Sequence, residues 1–510
     1  GGLVRRVGAL HAPLDDAHGR HLPLVVRSAA RGDRLGADTG MLSMANCLGA
    51  AAGAAVTSQI LLGLAGPTVS GAVLALVSVL TGAAVLAASR PVLALLAAPA
   101  AAAVLLLATG ADRPGSLPPP GLDLLFFEEG RTATVAVFGR DWDDYRSLRI
   151  NGVEEVPVDQ PSLEAFYLLG HLPWGYRPGA SSALVVAMGG GITCGALLTH
   201  PIDTVVCAEI CPEVALAAPL FTAENRRPDL DPRFTLVPDD GRNYLLGSGR
   251  RFDLIVCDAT HPGSSDSWVL YTAEFYRTVL AGLAPGGVAA QWVPLHQLPA
   301  ADLRRIMATW ASVFPHYGVH LAGGRHAILA GSREPLVLDC AAIFADSAAG
   351  AQLASVGFSA SEPGMLEPVV RDPDLDPSAF PAGPPNTDDR SPCQFIRRRA
   401  PVDPQATIAG DVSEILAAGT GVVFALHQAQ MLYWQGRLPE AVAVLRAEAS
   451  GSMERRWLAV ALTTAAERIH LAGRGTEALP LLREAAACDP SWPRPALLAA
   501  LVEADGEPAP

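Results

Sequence analysis

Charge is scarce in this chain of 510 residues, and positive charge is the scarcer sign: 37 Lys and Arg stand against 51 Asp and Glu, a formal net charge of −14. That balance excludes a surface built for nucleic acid. Metal-ligand spacing is lacking too. The eight cysteines include no CxxC pair, and Cys207 and Cys211, which flank a predicted strand end, have no companions to complete a zinc site. No metal is expected, and ordinary buried thiols fit better than a disulfide framework. What abounds is apolar: half of the residues are hydrophobic and only 17% are charged. The length exceeds what one core accommodates, so two to four domains are expected.

Over one long stretch charge almost vanishes. Between Gly40 and Gly110 the only charged residue is Arg90. Gly66-Pro67 and Arg90-Pro91 divide the stretch into apolar runs at 41–65, 68–89 and 91–109. Each run is close to the ~20 residues that cross a bilayer. Residues 39–110 are therefore expected to hold about three transmembrane helices; the alternative is a buried helical hairpin. Gly49, Ala50, Gly53 and Ala54 suit close helix packing in lipid. Repeated runs fit a signal peptide poorly. The basic segment 1–38 carries Arg5, Arg6, Arg20, Arg27, Arg31 and Arg34, and it starts with Gly rather than Met, so a preceding piece is expected to be missing.

The remainder divides by pattern. Residues 111–122 read as a linker, and 123–160 as a small β domain with an Asn151-Gly152 hairpin turn. Residues 161–335 begin with a helix over 161–176 and then alternate. Strands are predicted at 183–188, 203–209, 234–238, 252–258 and 287–293, with helical segments between most of them. Continuous apolar strands with helical crossovers imply an α/β domain with a parallel sheet covered on both faces. Residues 336–410 are irregular and rich in proline. Residues 411–510 turn helical, and Gly436-Arg437 with Glu440-Ala441 recurs as Gly473-Arg474 with Glu477-Ala478. The recurrence resembles tetratricopeptide repeats, which implies a protein partner; a plain helical bundle is the alternative.

The chemistry gathers at strand ends. Gly189 and Gly191 follow the first strand of the alternating region and permit a tight turn with close backbone approach. The second strand ends on Glu209, a carboxylate able to accept both hydroxyls of a ribose. The third leads to Asp240-Gly241, where the acid can accept from an adenine amino group. The fourth ends on Asp258, and His261 follows three residues later. Acids at the carboxyl ends of successive parallel strands converge on one crevice. Each acid taken singly is as well explained by a strand end or a helix cap.

These residues carry a resemblance. "GHLPW", "MGGGITCGALLTHPIDTVVCAEICPEV", "DPRFTLVPDDGRNYL", "FDLIVCDATHP", "LYTAEFYRTVLAGLAPGGVAAQW" and "SVFPH" resemble the spermidine synthase (aminopropyltransferase) family. The apolar segment and "NTDDRSP" resemble bacterial members fused to a transporter-like membrane region. The resemblance implies the seven-stranded, Rossmann-type fold of S-adenosylmethionine-dependent methyltransferases. It also implies S-adenosylmethionine or its decarboxylated form as co-substrate, an amine acceptor, and a homodimer. Gly189, Gly191 and Gly241 would line the nucleoside pocket, Glu209 would hold the ribose, Asp240 the adenine, and Asp258 would position and deprotonate the attacking amine. Tyr271 and Gln291 are candidates for contact with the acceptor, and Trp292 could face its pocket. Residues 264–267 are expected to form a lid.

Three departures matter. Polyamine-forming members have an acid where His261 stands, another where Ile192 stands, and a tyrosine near Ala165. The nucleoside end is thus preserved and the diamine end is not. His261 has two open readings, a general base or hydrogen-bond partner for a less cationic acceptor, and a cap for the loop beside Pro262. The leading expectation is a transferase of the bacterial inner membrane acting on an amine that is not a simple diamine. A methyltransferase and a catalytically silent nucleoside- or polyamine-binding module are the alternatives. Arginine placement with three spans would put the catalytic domain outside the cytoplasm, yet the nucleoside donor is made inside, and a cytoplasmic domain is preferred.

Overall fold

A computed structural model of the chain describes residues 35–89, 99–102, 117–264, 267–371, 384–398, 404–418, 425–448 and 450–506. The chain divides into two compact units, residues 1–113 with 129–131, and residues 114–128 with 132–510.

The first unit contains helices α1 (Leu35–Val56) and α2 (Leu62–Ser89), joined by a π-helical turn over Thr57–Leu61. The expected division at Gly66-Pro67 appears as a break inside α2. Gly66 takes φ 68° and ψ 174°, and Pro67 has no N–H to continue the helix. Two stretches, Thr39–Leu64 and Gly66–Ala84, are long and apolar enough to cross a membrane, and almost none of either is buried. Met41, Leu48, Leu64 and Leu80 are all more than half exposed. A buried soluble hairpin does not describe them. The third expected span, 91–109, lies outside the described residues except for a helical turn at 99–102.

The second unit opens with an antiparallel sheet of four strands in sequential order: β1 (Asp123–Glu129), β2 (Thr134–Arg140), β3 (Tyr145–Ile150) and β4 (Val153–Pro157). Asn151 and Gly152 join β3 to β4 with φ values of 52° and 79°. Two positive φ values in a two-residue loop make a type I′ turn, which matches the strand twist. Helix α3 (Gln160–Tyr176) follows, capped by the Asp159 carboxylate on Ser162 N.

The main sheet is mixed, with seven full strands and a two-residue edge strand. Its order is β12-β10-β11-β9-β8-β5-β6-β7. Strands β5 (Ser182–Val186), β6 (Thr204–Ala208), β7 (Phe234–Val237), β8 (Phe252–Cys257) and β9 (Leu283–Pro294) are parallel to their neighbours among them. β10 (His316–Ala322) and β11 (His326–Ser332) form an antiparallel hairpin, and β12 is Val370–Arg371. The five strands expected from apolar runs are therefore present. The chain steps outward from β5 to β6 and β7, then returns to lay β8 on the other side of β5. That reversal makes a topological switch point, where sheets of this kind open a crevice. Crossovers on both faces explain the unbroken apolar runs: Ala183, Leu184 and Val185 are fully buried. Helices labelled below are α4 (Ile192–Leu197), α5 (Gly241–Ser248) and α6 (Ala273–Gly282).

Among the described residues six further helices follow: α7 (Pro404–Ala418), α8 (Ala425–Trp434), α9 (Leu438–Glu448), α10 (Ser452–Leu471), α11 (Gly475–Cys488) and α12 (Arg494–Gly506). The two recurring stretches fold alike. Gly436 and Gly473 take φ 74° and 77° between helices, Arg437 pairs with Glu440 and Arg474 with Glu477, and Ala441 and Ala478 are fully buried. The proline-rich stretch expected to be irregular includes two short helices, Cys340–Phe344 and Ser347–Ser355, capped by Asp339 and Asp346.

A buried polar network joins these helices to the sheet domain. Trp457 Nε1 donates to Glu164 Oε1 at 2.7 Å, and Gly323 N donates to Glu164 Oε2 at 2.8 Å. Arg456 donates to Gln160 Oε1 at 2.9 Å, to the Ser355 carbonyl, and to the Asp489 carboxylate. Arg456 is 1% exposed. Burial pushes the Glu164 carboxyl up to about 7, opposed by the Gln160, Gly323 and Trp457 donors. Breaking such a pair from one side strands a charge. Arg456→Met is therefore expected to destabilise the folded chain by about 3–5 kcal/mol, measured as an earlier urea-unfolding transition in detergent.

Candidate active site

The sheet register sets the geometry. Val186 pairs with Ala208 on one side and Cys257 on the other, and Ala208 pairs with Val237. One residue further, Glu209 and Asp258 leave their strands at the same level, flanking the turn that follows β5. Their backbones are about 10 Å apart, two strand spacings. The ladder continues into both residues: Glu209 N donates to Val237 O at 3.0 Å and Asp258 N to Val186 O at 2.9 Å.

The turn between β5 and α4 is unusually constrained. Gly189 and Gly191 take φ 52° and 73°, in the left-handed region that glycine favours. Ala187, without that freedom, takes φ 70°. A left-handed non-glycine residue costs on the order of 1 kcal/mol or more and persists only where its surroundings impose it. Those surroundings are identifiable. Ala187 N donates to Ala208 O at 2.9 Å, and Met188 N donates to Glu209 Oε2 at 2.7 Å. Asn225, fully buried, donates from Nδ2 to Gly190 O at 2.8 Å and to Ala218 O at 2.7 Å. A Cβ on Gly195 would fall 1.9 Å from Asn225 O, so α4 and Asn225 touch backbone to backbone.

Glu209 is 6% exposed. Its second oxygen accepts Cys211 N at 2.8 Å. Burial raises its pKa, and the Met188, Cys211 and Ile210 amides oppose the rise. These amides leave part of the carboxylate's acceptor capacity open. Ile210 beside it is 51% exposed, an apolar face at the same strand end. Asp240 caps α5, accepting Asn243 N at 2.8 Å. A Cβ on Gly241 would meet Val186 Cγ1 at 2.5 Å, so glycine lets α5 start against β5.

Asp258 is half-buried, and its Oδ2 accepts Thr193 Oγ1–H at 2.8 Å. Burial drives its pKa up to about 7; Thr193 opposes the shift and the negative Glu209 adds to it. A carboxylate so poised can take up a proton near neutral pH. His261 lies beyond it with both ring nitrogens on backbone groups. Its Nδ1 accepts Gly263 N at 2.9 Å, and Nε2 meets His296 O at 3.1 Å. These contacts fit the second of the readings open from sequence, a brace for the loop.

Tyr271 and Gln291, expected at the acceptor, sit inside the protein instead. Tyr271 is fully buried and its hydroxyl faces Thr260 O at 3.3 Å and Trp292 O at 3.2 Å. Gln291 is 1% exposed and donates to Trp292 O at 3.2 Å. Both point to the face of β9 opposite Trp292, as alternation along a strand requires. Of the expected lid, Ser264 donates its N–H to His261 O and Ser267 bonds Thr260, while residues 265 and 266 lie outside the described residues. Sequence reasoning missed Thr193, Asn225, His296 and His326. Trp292 Nε1 donates to His326 Nδ1 at 3.2 Å, and the His296 ring centroid is 5.9 Å from His261 and 5.8 Å from His326. Burial holds His326 well below the usual imidazole range. Thr193 had a signal, four residues after Gly189 and second in α4. Asn225 and the histidines had none. Among the described residues no cluster of three or more His, Cys, Asp or Glu is arranged to hold a metal ion.

Residues 166–320 match the family model of the spermine/spermidine synthase domain. The chain is similar to the polyamine aminopropyltransferase of Nitrosomonas europaea, 34% identical over 176 residues, which are 33% of this chain and 52% of that protein. It is similar to the polyamine aminopropyltransferase of an Enterobacter species, 29% identical over 168 residues, 32% of this chain and 53% of that protein. The chain spans about half the length of the curated relatives it matches. Among solved structures, spermidine synthase from Thermotoga maritima aligns with 44% of this chain and 78% of its own, at 18% identity and a TM-score of 0.39.

The Thr193–Asp258 contact has a pH consequence. Thr193 is the hydrogen bond that holds the Asp258 carboxyl down. Thr193→Val removes it, so the pKa of Asp258 rises further. The acid limb of the pH–rate profile, where activity grows as Asp258 ionises, is expected to move to higher pH; a limb that stays in place counts against Asp258 as proton acceptor.

Proposed function

From the spermine/spermidine synthase domain at residues 166–320, we propose that this chain is a membrane-anchored aminopropyltransferase. Its donor would be decarboxylated S-adenosylmethionine and its acceptor an amine that is not a simple diamine. The observation that carries the reading is the strand-end pair: Glu209, fixed by Met188 N and Cys211 N with lone pairs to spare, and Asp258, raised to about 7, on either side of one glycine turn. Glu209 would take the ribose hydroxyls, the outer oxygen of Asp240 the adenine amino group, and Ile210 an apolar base face.

In the reaction, the acceptor nitrogen must first be neutral, since an alkylammonium with pKa near 10 has no lone pair to attack with. Asp258 takes that proton. The nitrogen then bonds to the carbon beside the sulfonium sulfur, the C–S bond breaks, and its electron pair returns to sulfur. The leaving group is the neutral thioether methylthioadenosine, and the positive charge ends on the alkylated amine. Charge moves without being created, so a partly closed cleft favours the step.

At the acceptor end, His296, His326 and Trp292 would gather around the ends of β9 and β11. Imidazoles and an indole offer faces and edges to an amine with an apolar or aromatic body. The exposed apolar helices α1 and α2 support anchoring in an inner membrane, with the catalytic domain on the cytoplasmic side where the donor is made. Methyl transfer is the second reading, favoured by Ile192, which is 1% exposed at the position where polyamine-forming members grip the donor amine.

Asp258→Asn is the direct test. It keeps size and the Thr193 contact but cannot take the proton. Transfer is expected to fall about 10²–10⁴-fold while nucleoside affinity changes little. Product mass separates aminopropyl from methyl addition. Wild-type protein that binds neither sulfonium nucleoside by calorimetry would falsify the enzymatic reading.

A further inference from the structure

The Asn386-Thr387-Asp388-Asp389 segment lies outside residues 166–320 and supplies no strand of the sheet. It is nevertheless bonded into the site's supports. Asn386 is fully buried. Its Nδ2 donates to Tyr271 O at 2.8 Å, its carbonyl accepts Ala273 N at 2.8 Å, and its own N–H reaches Thr309 Oγ1 at 3.0 Å. Asp388 does more. Its two carboxylate oxygens take both terminal nitrogens of Arg242, the first at 3.0 Å, and Oδ1 also accepts Thr272 Oγ1–H at 2.8 Å. Its N–H donates to Glu274 Oε2 at 3.1 Å.

The two elements so gripped both lead to the candidate site. Arg242 is the second residue of α5, two positions after Asp240. Thr272 caps α6 and closes the loop that opens at Asp258 and contains His261. One carboxylate therefore ties the helix that starts at the adenine-side acid to the foot of the loop at the acceptor side. A bidentate guanidinium–carboxylate contact fixes orientation as well as distance, which a single hydrogen bond does not.

We propose that Asp388 is a positioning residue of this enzyme: through Arg242 it sets the first turn of α5, and with it the Asp240 carboxylate, while through Thr272 it holds the cap of α6. The proposal rests on the nucleoside reading of the site. It gives the NTDD segment a role in donor affinity although that segment touches none of the strand-end residues.

The test is calorimetric titration of the full chain in detergent with methylthioadenosine, together with donor KM and kcat. Asp388→Asn keeps the side-chain size and loses the paired, charged contact. Binding is expected to weaken about tenfold, with a matching rise in donor KM, a smaller change in kcat and unchanged stoichiometry. Asp388→Glu is expected to restore most of the affinity. A merely structural loss would instead reduce the active fraction, lowering stoichiometry and kcat and leaving Kd and KM alone. Arg242→Gln probes the pair from its other side, and the double variant is expected to bind no more weakly than either single one. Wild-type binding with unchanged affinity in Asp388→Asn, or additive effects in the double variant, overturns the positioning role and leaves the nucleoside reading standing. Absence of binding by the wild type overturns both.

Discussion

One buried carboxylate shapes the centre of this molecule. Glu209 leaves β6 with its oxygens on Met188 N and Cys211 N. The first contact pulls the residue after Ala187 toward β6 and imposes a left-handed backbone where no glycine stands. The second starts the chain beyond the strand. Burying a charge is costly, and here directed amides offset it in place of a counter-ion. A carboxylate satisfied by amides alone has no counter-ion to cancel its charge. That negative field also acts on Asp258 and helps to raise its pKa toward neutrality. The structural tie and the chemistry therefore come from the same group, and neither can be altered without the other.

The hairpin of β10 and β11 has a similar dependence on distant parts of the chain. Its turn is held by Gly323, whose N–H goes to Glu164 on α3 and whose carbonyl accepts Trp434 Nε1 at 3.0 Å. Arg325, two residues on, lies with its guanidinium 4.9 Å from the Trp434 ring centroid and pairs with Asp159, the cap of α3. His326 begins β11 directly afterwards. The C-terminal helices thus brace the turn that precedes His326. Polar docking of this kind specifies one registry, because a shifted interface would take Arg456 off Gln160 and the Ser355 carbonyl and take Trp457 off Glu164.

The two ends of the crevice follow different physical logic. The side at Glu209 and Asp240 is built from backbone amides, glycines and acids, groups that fix hydroxyl and amino donors by direction. Around the ends of β9 and β11 stand rings: Trp292, His296 and His326 lie with centroids about 6 Å apart. Rings offer faces and edges with weak directional demands, and burial favours the neutral form of His326.

The strands β5 to β9, the Asn151-Gly152 turn and the acids at the strand ends were legible in the sequence. Each is a local matter: an unbroken apolar run, a turn that needs positive φ, a polar residue ending a buried segment. The repeat at Gly436 and Gly473 was legible for the same reason, since equivalent residues met equivalent fates. Tertiary structure alone decided what those residues touch. It turned His261 inward onto two backbone groups, put Tyr271 and Gln291 behind the crevice wall, and brought Thr193 to Asp258 and Asn225 to the glycine turn. It also carried Asp388 across 146 residues to Arg242. Contacts at such separations leave no period or spacing in the chain, because they depend on how finished elements pack and not on what any one segment prefers.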